Sequence, residues 1–317
     1  MATLTISKED EKRVKAMGFL SNKGTDNFSA RVITVNGRIS AEQYMAIGEA
    51  AQKYGDGNLV FTTRLTVEVP GIPYEKIEAF KEFIESKGLT TGGTGSKVRP
   101  VVSCKGTTCQ YGLIDTYDLS TKIHKAFYEG YRQVKLPHKF KIAVGGCPNN
   151  CVKPDLNDMG IIGQLVPNFD EDMCNGCKRC SIEKVCPIGA ARVVDGVLEI
   201  DKNLCNNCGR CVGNCHFDAI EDGTPGYKIY IGGRWGKSVA KGQELRKIFS
   251  SEEEVMSAIE KTILLFREQG KTGERFAQTI DRLGFDHVEK EILSDDILSR
   301  KEEILNAKLH ETGGATC

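Results

Sequence analysis

Thirteen cysteines stand in this chain of 317 residues, and twelve of them fall into short-spaced sets. Cys174, Cys177 and Cys180 follow the pattern C-x2-C-x2-C with Cys186 beyond, and Cys205, Cys208 and Cys211 repeat it with Cys215 beyond. That spacing is the bacterial two-cluster ferredoxin run, in which three cysteines hold one 4Fe-4S cluster and the fourth crosses to the other. It predicts Cys174, Cys177, Cys180 and Cys215 on one cluster, and Cys205, Cys208, Cys211 and Cys186 on the second. Pro187 follows Cys186 as the run requires, whereas five residues precede Cys186 instead of three, and His216 replaces the second proline. Two four-cysteine zinc sites are the alternative, because zinc also uses C-x2-C pairs.

The remaining set, Cys104 and Cys109 with Cys147 and Cys151, joins thiols to cations. Phe140, Ile142 and Val144 alternate with Lys139, Lys141 and Ala143, which predicts a strand over 139–145 with both lysines on one face. Gly145 and Gly146 then allow a tight turn into Cys147. Two ammonium groups beside thiolate ligands point to a metal centre that handles an anion, and the lysines are expected near the metal held by the next loop.

The elements that must carry these residues read as alternating strands and helices up to about residue 100. A strand is expected over Ala30 to Val35, a helix capped by Ser40 with Gln43 at its third position, and a second strand over Asn58 to Val69. A helix starting at Pro73 carries Ile77, Phe80, Phe83 and Ile84 as its apolar stripe and stops at Gly88. Thr90 to Gly95 reads as a Gly-rich linker, and a strand over Val98 to Ser103 delivers Cys104. From about Phe169 to Asp222 the chain is cysteine-dense and loop-rich, the mark of an inserted module. A strand over Tyr227 to Ile231, a helix over Ser251 to Gln269 and further helices after Thr272 follow.

Composition narrows the partners. Forty-three basic residues balance 43 acidic ones, which gives no global attraction to nucleic acid or to an anionic membrane. The first residues lack the apolar core of a signal peptide, and no apolar run approaches a membrane span, so the expected setting is the reducing cytoplasm. Cys317 reads as a tail residue.

On the four-cysteine set and its basic neighbours, the chain resembles the sirohaem-containing sulfite and nitrite reductase family through most of its length. The family's cationic positions match Arg31 in Ala-Arg-Val-Ile, Arg64 in Thr-Thr-Arg, Arg99 shortly before Cys104, and Lys139 and Lys141. The resemblance implies that Cys104, Cys109, Cys147 and Cys151 hold a 4Fe-4S cluster and that Cys151 is also the axial ligand of the sirohaem iron. Length and inserted module resemble the catalytic third subunits of three-subunit anaerobic sulfite reductases. Three departures stand out: four residues separate Cys104 from Cys109 where five are common, Leu65 replaces the usual Gln, and one copy of the core is present where assimilatory members have two.

The fold this implies is α+β: a ferredoxin-like half-domain at 1–98, and a sirohaem and 4Fe-4S binding α/β domain. That second domain is built from 99–167 and 223–317, the latter with the C-terminal helices, around an inserted two-cluster ferredoxin module at 168–222. The implied activity is six-electron reduction of sulfite to sulfide, with sirohaem and three 4Fe-4S clusters as cofactors. The implied partners are electron-donating iron-sulfur and flavin or nicotinamide subunits and a second copy of the chain or a related subunit. Cations and cysteines of one active site can then belong to different protomers. Nitrite reduction, or electron transfer without substrate chemistry, are the alternatives. A lone Arg or Lys on a strand is by itself usually a solvated residue. His124, His138, His287 and His310 lack ligand-like spacing and read as surface or packing residues, and Arg234, flanked by glycines, is a weaker candidate for meeting a sirohaem carboxylate.

Overall fold

The computed structural model describes residues 6–310, so Cys317 lies outside the described residues. Near the N-terminus, β1 (Phe19–Ser21), β2 (Asn27–Ile33), β3 (Val60–Phe61) and β4 (Val67–Pro73) form an antiparallel sheet in the order β1-β2-β4-β3, with β5 (Thr90–Thr91) also pairing β2. Helices α1 (Lys8–Ala16), α2 (Ala41–Tyr54) and α3 (Ile77–Ser86) accompany it. Phe19, Phe28, Val32, Ile47, Ile72, Phe80 and Ile84 make its core. The expected capping box forms: Ser40 accepts from the Gln43 N–H while the Gln43 side chain accepts from the Ser40 N–H.

A second sheet is mixed, in the order β12-β11-β8-β7-β6. Strands β6 (Val102–Ser103), β7 (Ile142–Gly145) and β8 (Met159–Pro167) are parallel, while β11 (Gly223–Ile231) pairs antiparallel with β8 and with β12 (Gln243–Glu244). Helix α4 (Thr116–Ile123), continued by a π-helical stretch over His124–Glu129, makes the β6-to-β7 crossover. Ser251 caps the long α6 (Glu252–Gln269), and α7 (Phe276–Leu283), α8 (Phe285–Leu293), α9 (Asp296–Ser299) and α10 (Lys301–Asn306) follow. Phe140, Ile142, Val144, Ile161, Ile229, Phe266 and Phe276 belong to the shared core.

The stretch between β8 and β11 carries α5 (Ser181–Val185) and the hairpin β9 (Ala191–Val194) with β10 (Val197–Ile200). Ile182, Ala191, Leu198 and Ile220 form its small apolar core, against which Cys174, Cys180, Cys186, Cys211 and Cys215 pack.

Three expectations are corrected. The strand expected over 58–69 breaks into β3 and β4, because the Thr62 and Thr66 hydroxyls bond at 2.7 Å, the Leu65 N–H reaches the Thr62 carbonyl, and Leu65 turns left-handed at φ 61°. Arg64 is therefore carried on a hairpin turn. The strand expected over 98–103 shrinks to Val102–Ser103, since Pro100 has no N–H for a ladder, and Val98 keeps only a single bridge to Phe140. The Gly-rich stretch at 90–95 is no linker: β5 is part of it, and Gly92 and Gly93 are buried behind β2.

Candidate active site

The five cations singled out in the sequence come together. Arg31, Arg64, Arg99, Lys139 and Lys141 line one cavity of about 380 Å³, joined by Lys15 from the end of α1, and no carboxylate is among its lining residues. Arg31 enters from β2, where it faces Glu68 across the ladder and is held by it at 2.6 and 2.9 Å. Its other arm and that of Arg99 both donate to the Gly93 carbonyl. Only glycine suits that point, because φ is +71° and an added Cβ would stand 3.1 to 3.3 Å from Pro100, Arg31 and Ile33. Arg64 reaches from its turn to the Asn157 side chain at 2.9 Å and to the Pro100 carbonyl at 2.7 Å. Lys139 and Lys141 flank Phe140 just before β7, and the Lys141 N–H donates to Asp158 at 2.9 Å.

So many like charges in a sheltered space disfavour one another. Burial, and then Arg99 and Arg31, bring Arg64 down to about 10; burial and Arg31 do the same to Arg99. Lys141 falls to about 8, through burial first and then Arg64 and Arg275. The Nε atoms of Arg64 and Arg99 are buried without a hydrogen-bond partner. Donors left unsatisfied among crowded cations are what a polyanion corrects, and the cavity fits the carboxylates of a sirohaem together with a small oxyanion.

Behind the cavity lies a pair that sequence reasoning missed. Asp158, fully buried just before β8, accepts two bonds from the Arg275 guanidinium at 2.8 and 2.9 Å, so it steadies the Lys141 backbone from a satisfied position. Asn157, next to it, holds Arg64. Nothing local in the sequence marks these residues. His138 is half-buried at the edge of the cations, and burial, then Lys139 and Arg275, lower it to about 4, which keeps it neutral near pH 7. Its Nδ1 accepts the Lys139 N–H at 2.7 Å. His124 packs on Tyr128, and His287 and His310 are exposed.

The cysteines form three baskets. Cys174, Cys177, Cys180 and Cys215 line one cavity of about 30 Å³, and Cys186, Cys205, Cys208 and Cys211 line another of about 20 Å³. These are the crossed sets the spacing predicts. Among the described residues no three His, Cys, Asp or Glu side chains form a group that could hold a single ion; the thiols stand around small spaces. Burial raises the Cys147 thiol, and Cys104, Cys151 and Cys109 raise it further, so this third set also lies within electrostatic reach of itself. The short Cys104 to Cys109 loop closes as a tight turn over Gly106–Thr108, with the Gly146 N–H pointing at the Cys104 sulfur, 3.1 Å away. Four thiols per basket is the donor set of a 4Fe-4S cluster.

One expectation fails within a single chain. Arg99 precedes β6 and Lys141 precedes β7, whereas Cys104 and Cys147 follow these two parallel strands. Cations and third basket therefore occupy opposite ends of the same strands, and β7 alone spans about 13 Å at ~3.3 Å per residue. The lysines are adjacent to the cysteines in sequence and remote from them in space. Arg234 lies outside the cavity lining; its backbone pairs with Ala240.

The chain matches two family models: the nitrite/sulfite reductase ferredoxin-like half domain over residues 21–87, and the nitrite and sulphite reductase 4Fe-4S domain over residues 94–299. It is 32% identical over 247 residues to the coenzyme F420-dependent sulfite reductase of Methanocaldococcus jannaschii, covering 77% of this chain and 38% of that protein. It is 31% identical over 147 residues to one subunit of the anaerobic sulfite reductase of Salmonella typhimurium, covering 42% of each. The chain thus spans less than half the length of either relative. A crystal structure of dissimilatory sulfite reductase I superposes with a TM-score of 0.67 over 84% of this chain and 69% of that one at 23% identity, which speaks for the fold. Among the described residues no helix is long and apolar enough to cross a membrane. With the 4Fe-4S domain model matching most of its length, this chain belongs to the nitrite and sulphite reductase family of oxidoreductases.

Proposed function

We propose that the chain is the catalytic subunit of a sulfite reductase, reducing sulfite to sulfide at a sirohaem bridged to the 4Fe-4S cluster of Cys104, Cys109, Cys147 and Cys151. The observation that carries this reading is the carboxylate-free cavity walled by Lys15, Arg31, Arg64, Arg99, Lys139 and Lys141, with two buried Nε donors unsatisfied. Sirohaem, when bound, would supply the redox-active iron at which sulfite could be reduced. The chain's own residues do the rest. Arg64 and Arg99 offer forked donors, still charged near neutral pH, that offset the desolvation of a small oxyanion. Lys141, with a pKa of about 8, is poised to give up protons near neutral pH as oxygens leave as water. Cys151, exposed on its loop, would be the thiol that meets the sirohaem iron. Two further clusters in the module at 168–222 relay electrons from a partner subunit, for a total of three.

Because cations and third basket sit at opposite ends of β6 and β7, the complete site needs a second copy of the chain, each copy lending its cavity to the other's cysteines. Two chains then make two sites.

Iron, sulfide and sirohaem content, with specificity constants for sulfite and nitrite under one electron donor, test the assignment. The reading expects sirohaem bands and a preference for sulfite; intact clusters without sirohaem would overturn it. If the chain served only electron transfer, with no substrate chemistry of its own, replacing Lys139 and Lys141 by Ala would leave electron throughput unchanged.

A pH dependence follows from Lys141. Its ammonium is present below about 8 and lost as pH rises through that value, so sulfite KM is expected to rise on the alkaline side. In Lys141→Arg, which stays charged, that limb should vanish. Superimposable KM profiles of the two proteins would refute the role.

A further inference from the structure

We propose that the two module clusters are wired in a fixed order: the basket of Cys186, Cys205, Cys208 and Cys211 is the inner one, passing electrons to the Cys104 set, and the Cys174 basket is the outer one, facing the donor. This rests on the reading that the module holds two clusters.

The inner basket touches the core in three ways. Cys208 bridges Leu165 of β8, and the Leu165 N–H donates to the Asn207 carbonyl at 2.9 Å. Gly209 lies against the Leu165 side chain, where a Cβ would come within 2.6 Å. Cys208 and Cys147 line the same cleft of about 580 Å³, and across its walls the Arg210 guanidinium sits 5.4 Å from the ring centre of Tyr111. Cysteines of two different baskets thus share one space. The outer basket has no such neighbour: every residue lining its cavity lies between 174 and 219, within the module. Beside it Met173 and Phe217 stand 47% and 45% exposed, an apolar approach for a protein carrier. Electron transfer weakens steeply with distance, so the path that uses the shared cleft dominates. At each step one cluster is oxidised by one electron and the next reduced by one, starting from a one-electron iron-sulfur or flavin carrier; no bond is made and no proton moves.

The test is magnetic and needs no turnover. Neighbouring reduced clusters broaden one another's paramagnetic resonance signals. In the full-length, cluster-loaded chain reduced with dithionite, the Cys104-set signal is expected to be broadened. Cys177→Ser, which removes the outer cluster and about four irons, should leave that broadening. Cys208→Ser should narrow both the Cys104-set and the outer signals to isolated line shapes. The opposite pattern, narrowing in Cys177→Ser and persistence in Cys208→Ser, overturns the order. Should either variant lose more iron than one cluster, Cys180→Ser and Cys211→Ser make the same comparison with the same two outcomes. A native chain without module cluster signals instead overturns the two-cluster reading itself, and the order with it.

Discussion

Mixing two inactive forms of the chain, Cys151→Ser and Lys141→Ala, is expected to restore about a quarter of native turnover. Each alone should be lower than native by ~10² to 10³, because one would lack the thiol proposed to hold the cofactors and the other a positioned cation. If cavity and thiolates of one site come from different copies, a mixed pair holds one site with both defects and one with neither. Random pairing makes about half of all pairs mixed, hence about a quarter of sites intact. The expectation stems from the strands themselves: Arg99 and Lys141 lead into β6 and β7, and Cys104 and Cys147 lead out of them. Co-expression with two affinity tags isolates the mixed pairs, in which one site of two is intact, so sulfite turnover of the doubly tagged fraction should reach about half of native. Activity of that fraction no higher than the two variants alone would sink the shared site.

Asp158→Ala should cost ~3 to 5 kcal/mol of stability, the penalty for leaving a buried charge without its partner. Arg275 is 6% exposed, both its bonds to Asp158 come from one nitrogen, and its Nε has no partner, so removing the carboxylate strands the guanidinium. The Lys141 N–H loses its acceptor as well. Adding Arg275→Met is expected to recover most of the loss, since an apolar residue of similar volume needs no partner. Urea unfolding of the native, single and double variants makes the comparison; a single variant within ~1 kcal/mol of native would show the pair to be dispensable.

What could be read from the sequence was whatever lay close together in it. The triads of the module cysteines follow from C-x2-C spacing, because those ligands are local, and the cap of α2 is legible for the same reason; the crossing fourth ligand follows only from the pattern of the two-cluster run. Arg31, Arg64 and Arg99 carry no local mark and were reached by family resemblance. Asp158 and Arg275 stand 117 positions apart, Arg64 and Asn157 93, and no periodicity announces such contacts. The strand expected around Arg64 failed because β-propensity in Val, Thr and Phe yielded to a turn closed by two threonine hydroxyls. Lys141 and Cys147 show the reverse: close in sequence, they stand at opposite ends of β7, because an extended strand is the conformation that separates its ends most.

The hairpin of β8 and β11 has Pro167 opposite Gly223, so everything between them emerges from, and returns to, neighbouring points of one ladder. Folded around its cysteines, that stretch behaves as a short connection. Unfolded, it is a long floppy one, and closing the ladder then costs about 2 to 3 kcal/mol more in chain entropy by the logarithmic loop law. On the proposed reading that the module holds clusters, iron supplied to it would therefore tighten the β8–β11 ladder as well as the contacts at Leu165, and a cell short of iron would make chains whose central ladder frays first.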